Sequence, residues 1–153
     1  MTPPPAPFDV VQIIQLAVAP VFLIAGIGAL LNVMTNRLAR VIDRGRALEE
    51  MISAEAEGEP RTRHLRELRA LDRRMQRINY AISLSTLAAL LVCAVIMALF
   101  ASELLRVEIA RTIAVLFIGA MAALIAALIL FLMEISIAIR TIRVNKDLLI
   151  RQA

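Results

Sequence analysis

Three long apolar runs constrain this chain more than any other feature of its sequence. They cover residues 10–33, 78–100 and 109–133, and only Arg111, near the start of the third run, is charged. An α-helix rises about 1.5 Å per residue, so about 20 apolar residues cross the ~30 Å hydrocarbon core of a bilayer. Each run is long enough. The sequence therefore predicts an all-α membrane protein with three transmembrane helices and the lipid bilayer as their surroundings.

The basic residues are unevenly distributed along the chain. Segment 35–77 holds 11 of the 17 Lys and Arg residues and the tail 134–153 holds four more, whereas residues 1–9 hold none. Because basic residues in short loops stay on the cytoplasmic side, we expect an outer N-terminus and a cytoplasmic C-terminus. A cleaved signal peptide is the alternative for the first run, but the run is long for one and no basic residue precedes it.

Apolar stripes at helical spacing continue past the membrane runs and predict a helical hairpin. Leu38, Val41 and Leu48 extend the first helix, while Leu68 and Leu71 lead into the second run. A third stripe follows the last run, so the three extensions together predict a cytoplasmic three-helix stalk, that is, the hairpin plus a C-terminal helix. The predicted division is a flexible outer tail (1–9), transmembrane helix 1 (10–34), the cytoplasmic helical hairpin (35–77), transmembrane helix 2 (78–100), an outer loop (101–108), transmembrane helix 3 (109–133) and a cytoplasmic helical tail (134–153).

Small residues line one face of the first span. The stripe consists of Ala25, Gly28, Ala29, Asn32 and Asn36, at i, i+3, i+4, i+7 and i+11. Small residues let helix backbones approach closely inside lipid, where no hydrophobic force drives helices together. The stripe is therefore expected to be a contact face, either with the other two spans or with another subunit. Small residues recur on the other spans, which favours a homo-oligomer.

Six polar residues are expected at a similar depth, near the cytoplasmic ends of the three spans. Polar groups at membrane depth are candidates for function, so this set is the candidate polar cluster or pore mouth. The favoured interpretation is interhelical hydrogen bonding that fixes packing; an ion or solute vestibule and simple interfacial solvation are the alternatives. The six residues are Asn32, Asn36, Asn79, Ser83, Glu134 and Ser136.

Eight arginines are predicted to form a collar just below the membrane. We interpret this arginine collar as setting the topology and contacting anionic lipid headgroups, with some pairing to acidic side chains. Nucleic acid is not an expected partner, because interleaved acidic residues dilute the charge and no recognition motif is present. The collar comprises Arg37, Arg40, Arg44, Arg73, Arg74, Arg77, Arg140 and Arg143.

Nothing in the sequence is patterned for catalysis. His64 is the only histidine, and Cys93, the only cysteine, lies inside an apolar run. The sequence contains no phosphate-binding loop, no nucleophile elbow and no zinc-ligand spacing. We therefore predict no enzyme and assign no catalytic, cofactor-binding or metal-binding residue.

The segment after the first span carries a resemblance to a known family. Asn36-Arg37-Leu38-Ala39-Arg40, together with the preceding Ala19-Pro20-Val21-Phe22-Leu23 and the later Leu71-Asp72-Arg73-Arg74, resembles a family of small bacterial membrane proteins catalogued only as a domain of unknown function. The resemblance covers most of residues 10–150. It implies a bacterial membrane location and supplies no activity.

Two hypotheses for function follow. The first is a non-enzymatic, self-associating inner-membrane protein with a structural or scaffolding role. The alternative is a homo-oligomeric ion channel with Asn32, Asn36 and Glu134 at its polar cytoplasmic mouth.

Overall fold

The computed structural model describes the backbone of residues 10–54, 58–105 and 109–150, and the side chains of residues 14–54, 58–102, 104–105 and 109–136. Over these residues its regular structure is entirely helical. Its helices are α1 (Val10–Ala54), α2 (Glu59–Leu105) and α3 (Ala110–Ile150). The predicted outer tail, residues 1–9, lies outside the described residues. The three long helices confirm the predicted all-α class.

Each helix is long and apolar enough to cross a membrane. In the most apolar stretch of each helix, only 17%, 22% and 17% of the residues, respectively, are buried within the chain. Large apolar side chains such as Phe22 and Met97, both 73% exposed, point away from the protein. An apolar surface this extensive is unfavourable in water and is matched by lipid. The chain is therefore a multi-pass membrane protein.

The helix bounds follow from local sequence. α1 continues to Ala54, because no proline or glycine pair interrupts the stripe that follows the first run. Gly58 and Pro60 are residue types typical of a turn, but α2 already begins at Glu59. Proline is accepted in the first helical turn, where its missing N–H would have no partner. Segment 101–108 was expected to be a loop, and α2 includes its first residues up to Leu105.

Buried residues recur at intervals of seven along each helix. On α1 these are Ile27, Met34, Val41 and Leu48; on α2, Leu71, Ile78, Ser85 and Val92; on α3, Ala120, Ala127 and Glu134. A seven-residue repeat keeps one narrow face of a helix against its neighbours over many turns. Two polar residues, Ser85 and Glu134, lie on this face and are therefore buried with it.

The chain divides into two compact units, of which the first combines residues up to Leu31 with Ser85–Leu124. Several of its buried residues are small, among them Ala17, Ala88 and Ala120. A side chain added at Gly119 would contact Leu91 of α2 at 3.8 Å, so α2 and α3 pass close to each other there. Small residues in this unit therefore allow the helix backbones to approach closely, as is common in membrane-spanning helix bundles.

The second unit combines Asn32–Leu84 with the chain from Ile125 onward. Here α1 and α2 run antiparallel, and their apolar stripes meet in a cluster built on Val41, Leu48, Leu71 and Ile78. Partly buried Leu38, Leu68, Met75 and Ile82 complete the cluster. The side chains of residues 137–150 are not described, so packing of the C-terminal tail along this helix pair remains a prediction.

An ion pair between Arg44 and Glu67 bridges the outside of the α1–α2 pair. The Arg44 Nη2 atom lies 2.9 Å from Glu67 Oε1, and the two side chains are 54% and 41% exposed. Exposed ion pairs contribute little, because water screens the attraction and ordering the side chains is unfavourable. We expect Arg44→Leu to lower the free energy of unfolding by less than about 1 kcal/mol in a detergent titration. A loss as large as that of a core truncation would contradict this assignment.

Candidate functional site

Glu134 is the one buried acidic side chain among the residues whose side chains are described, with 1% of its surface exposed. It follows directly after the third apolar run and lies on the buried face of α3. A carboxylate removed from water is strongly destabilising unless charged or hydrogen-bonding partners compensate it. The partners of Glu134 therefore define the site.

Two arginines of α2 supply that compensation. Arg74 Nε donates a hydrogen bond of 2.6 Å to Glu134 Oε1. Arg77 Nε lies 3.4 Å from the second oxygen, Oε2, as an ion pair without hydrogen-bond geometry. Because residues three apart share a helix face, both guanidinium groups reach the same carboxylate. Glu134 thereby joins α3 to α2 through charge.

A third arginine joins α1 to α3. The guanidinium carbon of Arg37 lies 5.6 Å from the centre of the Phe131 ring. Phe131 precedes Glu134 by three residues on α3 and is itself buried. A cation over an aromatic face is attracted by the negative charge of the ring face. We call Arg37, Arg74, Arg77, Phe131 and Glu134 the arginine–glutamate cluster.

An open cavity of about 220 Å³ adjoins the arginine–glutamate cluster. It is lined by Arg37, Arg40, Val41, Arg74, Ile78 and Glu134. Three arginines and one glutamate leave this lining with a surplus of two positive charges. Neither Arg37 nor Arg40 has an acidic partner within 4 Å among the residues that the structure describes.

The six residues of the predicted polar cluster do not share one environment, because only one of them is buried. Glu134 is buried with arginines, whereas the other five are exposed. Asn36 Nδ2 donates to Asn32 Oδ1 at 3.2 Å along α1, and the Ser136 hydroxyl donates to the Leu132 carbonyl oxygen. Asn79 and Ser83 also lie on exposed surface of α2.

The predicted arginine collar divides in a similar way. Arg37, Arg74 and Arg77 belong to the arginine–glutamate cluster, Arg40 lines its cavity, and Arg44 pairs with Glu67. Arg73 is exposed. The side chains of Arg140 and Arg143 lie outside the described residues.

Glu134 and the arginines were predicted as two separate sets of residues, and the ion pair between them was not predicted. The signal that was available is the seven-residue repeat on α3, which places Glu134 on the same face as Ala120 and Ala127. The same repeat on α2 identifies Ser85, which is fully buried, in place of its exposed neighbours Ser83 and Thr86.

The chemistry available to this site is charge pairing and anion binding. Within the described residues, no group of three or more His, Cys, Asp or Glu side chains is placed to hold a metal ion. Arginine guanidinium groups stay protonated and offer several N–H donors in a fixed plane, which suits carboxylate and phosphate.

These features define a small helical membrane protein whose apolar helices are joined by a buried glutamate and its arginines. Residues 17–144 match the model of a family described as a protein of unknown function, DUF2721. The chain belongs to this family, which confirms the resemblance to a family of unknown function. No curated protein and no solved structure matches the chain.

Proposed function

We propose that this protein is a non-enzymatic structural component of the bacterial inner membrane that associates with itself through α1. The observation that carries the proposal is the exposure of the small-residue stripe. All five members, Ala25, Gly28, Ala29, Asn32 and Asn36, are exposed in the single chain. Of the two contacts expected for this stripe, packing against the described residues of the other two spans is not observed, which supports contact with a second copy.

The stripe lies on the side of α1 opposite its buried face. Successive residues of a helix turn by about 100°, so the stripe is centred roughly half a turn away from Ile27 and Met34. Both of these side chains are at most 2% exposed. One face of α1 thus holds the chain together, and the opposite face is available for a partner helix.

The chemistry of the stripe suits a second copy of the same helix. Gly28 has no heavy atom within 4 Å of the position that a Cβ would occupy, so a partner backbone has room to approach. Asn32 and Asn36 carry amides, which both donate and accept hydrogen bonds, and interhelical amide hydrogen bonds support association in membranes. In a twofold dimer the same surface serves both subunits, so a self-complementary polar pair is satisfied.

Gly28→Leu tests this interface. Because the position is open in the single chain, we expect the variant to fold as the parent does. In a dimer it places a large side chain where two backbones meet, and overpacking of this kind weakens association by about 2 kcal/mol, or roughly thirtyfold. Förster transfer between labelled chains in vesicles measures the dissociation constant.

The matched control is Gly26→Leu. Gly26 is also exposed, with nothing within 4 Å of its Cβ position, but it lies about 100° away from the centre of the stripe. The two substitutions change helix propensity and lipid contact equally. If both weaken association to the same degree, or if the parent chain is monomeric, self-association through this face is wrong.

Charge distribution supports the orientation that completes the proposal. Segment 35–77 and the tail 134–153 carry 15 of the 17 basic residues (11 plus four), and short basic segments are retained on the cytoplasmic side. In this orientation the arginine collar faces the anionic headgroups of the inner leaflet. The N-terminus is then outside and the C-terminus is in the cytoplasm.

Ion flux measurements separate this proposal from the channel alternative. In the single chain Glu134 is bonded to Arg74, so a pore lined by this carboxylate would have to break that pair. We expect vesicles that contain the purified protein to show no flux above protein-free vesicles. Ion flux above that of protein-free vesicles, if it is lost in Asn36→Ala, would indicate a channel and contradict the structural role.

A further inference from the structure

We infer that the cavity beside the arginine–glutamate cluster is a discrete binding site for the phosphate group of one anionic phospholipid. This inference rests on the proposed contact between the arginine collar and lipid headgroups. The collar alone would attract many headgroups diffusely, whereas the cavity would bind one headgroup at a site of defined residues. The phosphate would be held by Arg37, Arg40 and Arg74.

The charge of the cavity indicates an anion. Glu134 neutralises one positive charge of the lining and is already bonded to Arg74, which leaves two in excess. The bond from Arg74 Nε uses only one of the five N–H donors of that guanidinium. Arg37 and Arg40 lack acidic partners among the described residues, so their charges are available to a ligand.

The cavity is also partly pre-organised. Arg37 is held in position by the Phe131 ring, and Arg74 by the Glu134 carboxylate. Fixing side chains before the ligand arrives reduces the entropy lost on binding. A volume of about 220 Å³ accommodates a phosphate group together with water, since one water occupies about 30 Å³.

The position of the cavity selects lipid phosphate rather than a soluble anion. Arg37 follows the first apolar run by four residues, Arg74 precedes the second by four, and Glu134 directly follows the third. Contacts within the second unit bring these three helix segments together. The cavity therefore lies at the edge of the hydrocarbon layer, where phospholipid phosphates are found. Val41 and Ile78 add apolar walls on which the lipid glycerol can rest.

Lipid titration of the full-length protein in detergent, read by native mass spectrometry, tests the site. We expect one molecule of phosphatidylglycerol to bind each chain more tightly than phosphatidylcholine. Arg40→Gln should weaken that binding about fivefold, the change that one basic residue contributes near an anionic membrane surface. Arg40 is exposed, and a thermal melt of the variant verifies that it folds.

Arg73→Gln is the matched control. It removes the same charge from an exposed arginine of the collar that does not line the cavity. Unchanged binding in this variant supports the discrete site. Equal weakening by both substitutions would exclude the site but leave the diffuse collar standing, and no weakening by either would overturn both.

Inorganic phosphate provides the second arm of the experiment. We expect millimolar phosphate, added to the protein with phosphatidylcholine only, not to occupy the site in the mass spectrum. Stoichiometric phosphate binding that is lost in Arg40→Gln would show a soluble-anion site instead and would overturn the assignment to lipid.

Discussion

Arg74→Leu is expected to lower the free energy of unfolding by about 3 kcal/mol, the lower end of the range for breaking a buried ion pair. The variant removes the 2.6 Å hydrogen bond and leaves the Glu134 carboxylate with Arg77 alone, at 3.4 Å. Because Glu134 is 1% exposed, its carboxylate has little contact with water that could replace the lost partner. Unfolding in mixed detergent micelles, followed by circular dichroism, measures the change.

Two further variants make this expectation specific. Arg73→Leu, at the adjacent exposed position, should change stability by no more than about 0.5 kcal/mol. Glu134→Leu combined with Arg74→Leu should recover most of the loss, because well-packed apolar residues can replace a buried ion pair without penalty. If Arg74→Leu is as mild as Arg73→Leu, Glu134 is not held by this pair.

Leu48→Ala is expected to lower the free energy of unfolding by about 2–5 kcal/mol, as truncations of buried leucine do. Leu48 is fully buried in the cluster that joins α1 to α2, together with Val41, Leu71 and Ile78. Removing its branched end leaves a cavity that flanking helices fill only in part. Loss of helix pairing here should appear as faster proteolysis near residue 58 as well as lower stability.

Substitutions of matched size control for this effect. Leu48→Met keeps the volume of the side chain and should reduce stability by less than about 1.5 kcal/mol. Met51→Ala removes a side chain of similar size from the same helix at a position that is 37% exposed, and it should have a smaller effect than Leu48→Ala. A Leu48→Ala protein as stable as the parent would show that this cluster does not hold the helix pair together.

Much of the fold could be predicted from the sequence because hydrophobic length and periodicity are local properties. The three apolar runs predicted three long helices, and the stripe through Val41 and Leu48 predicted that α1 continues past its membrane segment. Family membership could also be predicted, from a resemblance over most of residues 10–150, and the family model matches residues 17–144.

The candidate site was predicted only in part. Glu134 was predicted as a polar residue at membrane depth, and the arginines were predicted as a collar below the membrane. The pairing of Glu134 with Arg74 and Arg77 was not predicted. Asn32 and Glu134 were placed in one cluster by depth alone, whereas the structure buries only the second. Depth along a helix follows from counting residues, but the direction in which each side chain points depends on how the helix is rotated against its neighbours.

The sequence by itself determined that this protein is helical and that its helices cross a membrane, because the energy of placing apolar residues in lipid depends on composition over about 20 residues. It also determined that basic residues flank those crossings. Only the tertiary structure decided that Glu134 meets Arg74 and Arg77, that Arg37 lies over Phe131, and that the small-residue stripe stays exposed. These outcomes depend on contacts between residues far apart in the chain, which hydrophobic periodicity restricts to a face but does not match to a partner.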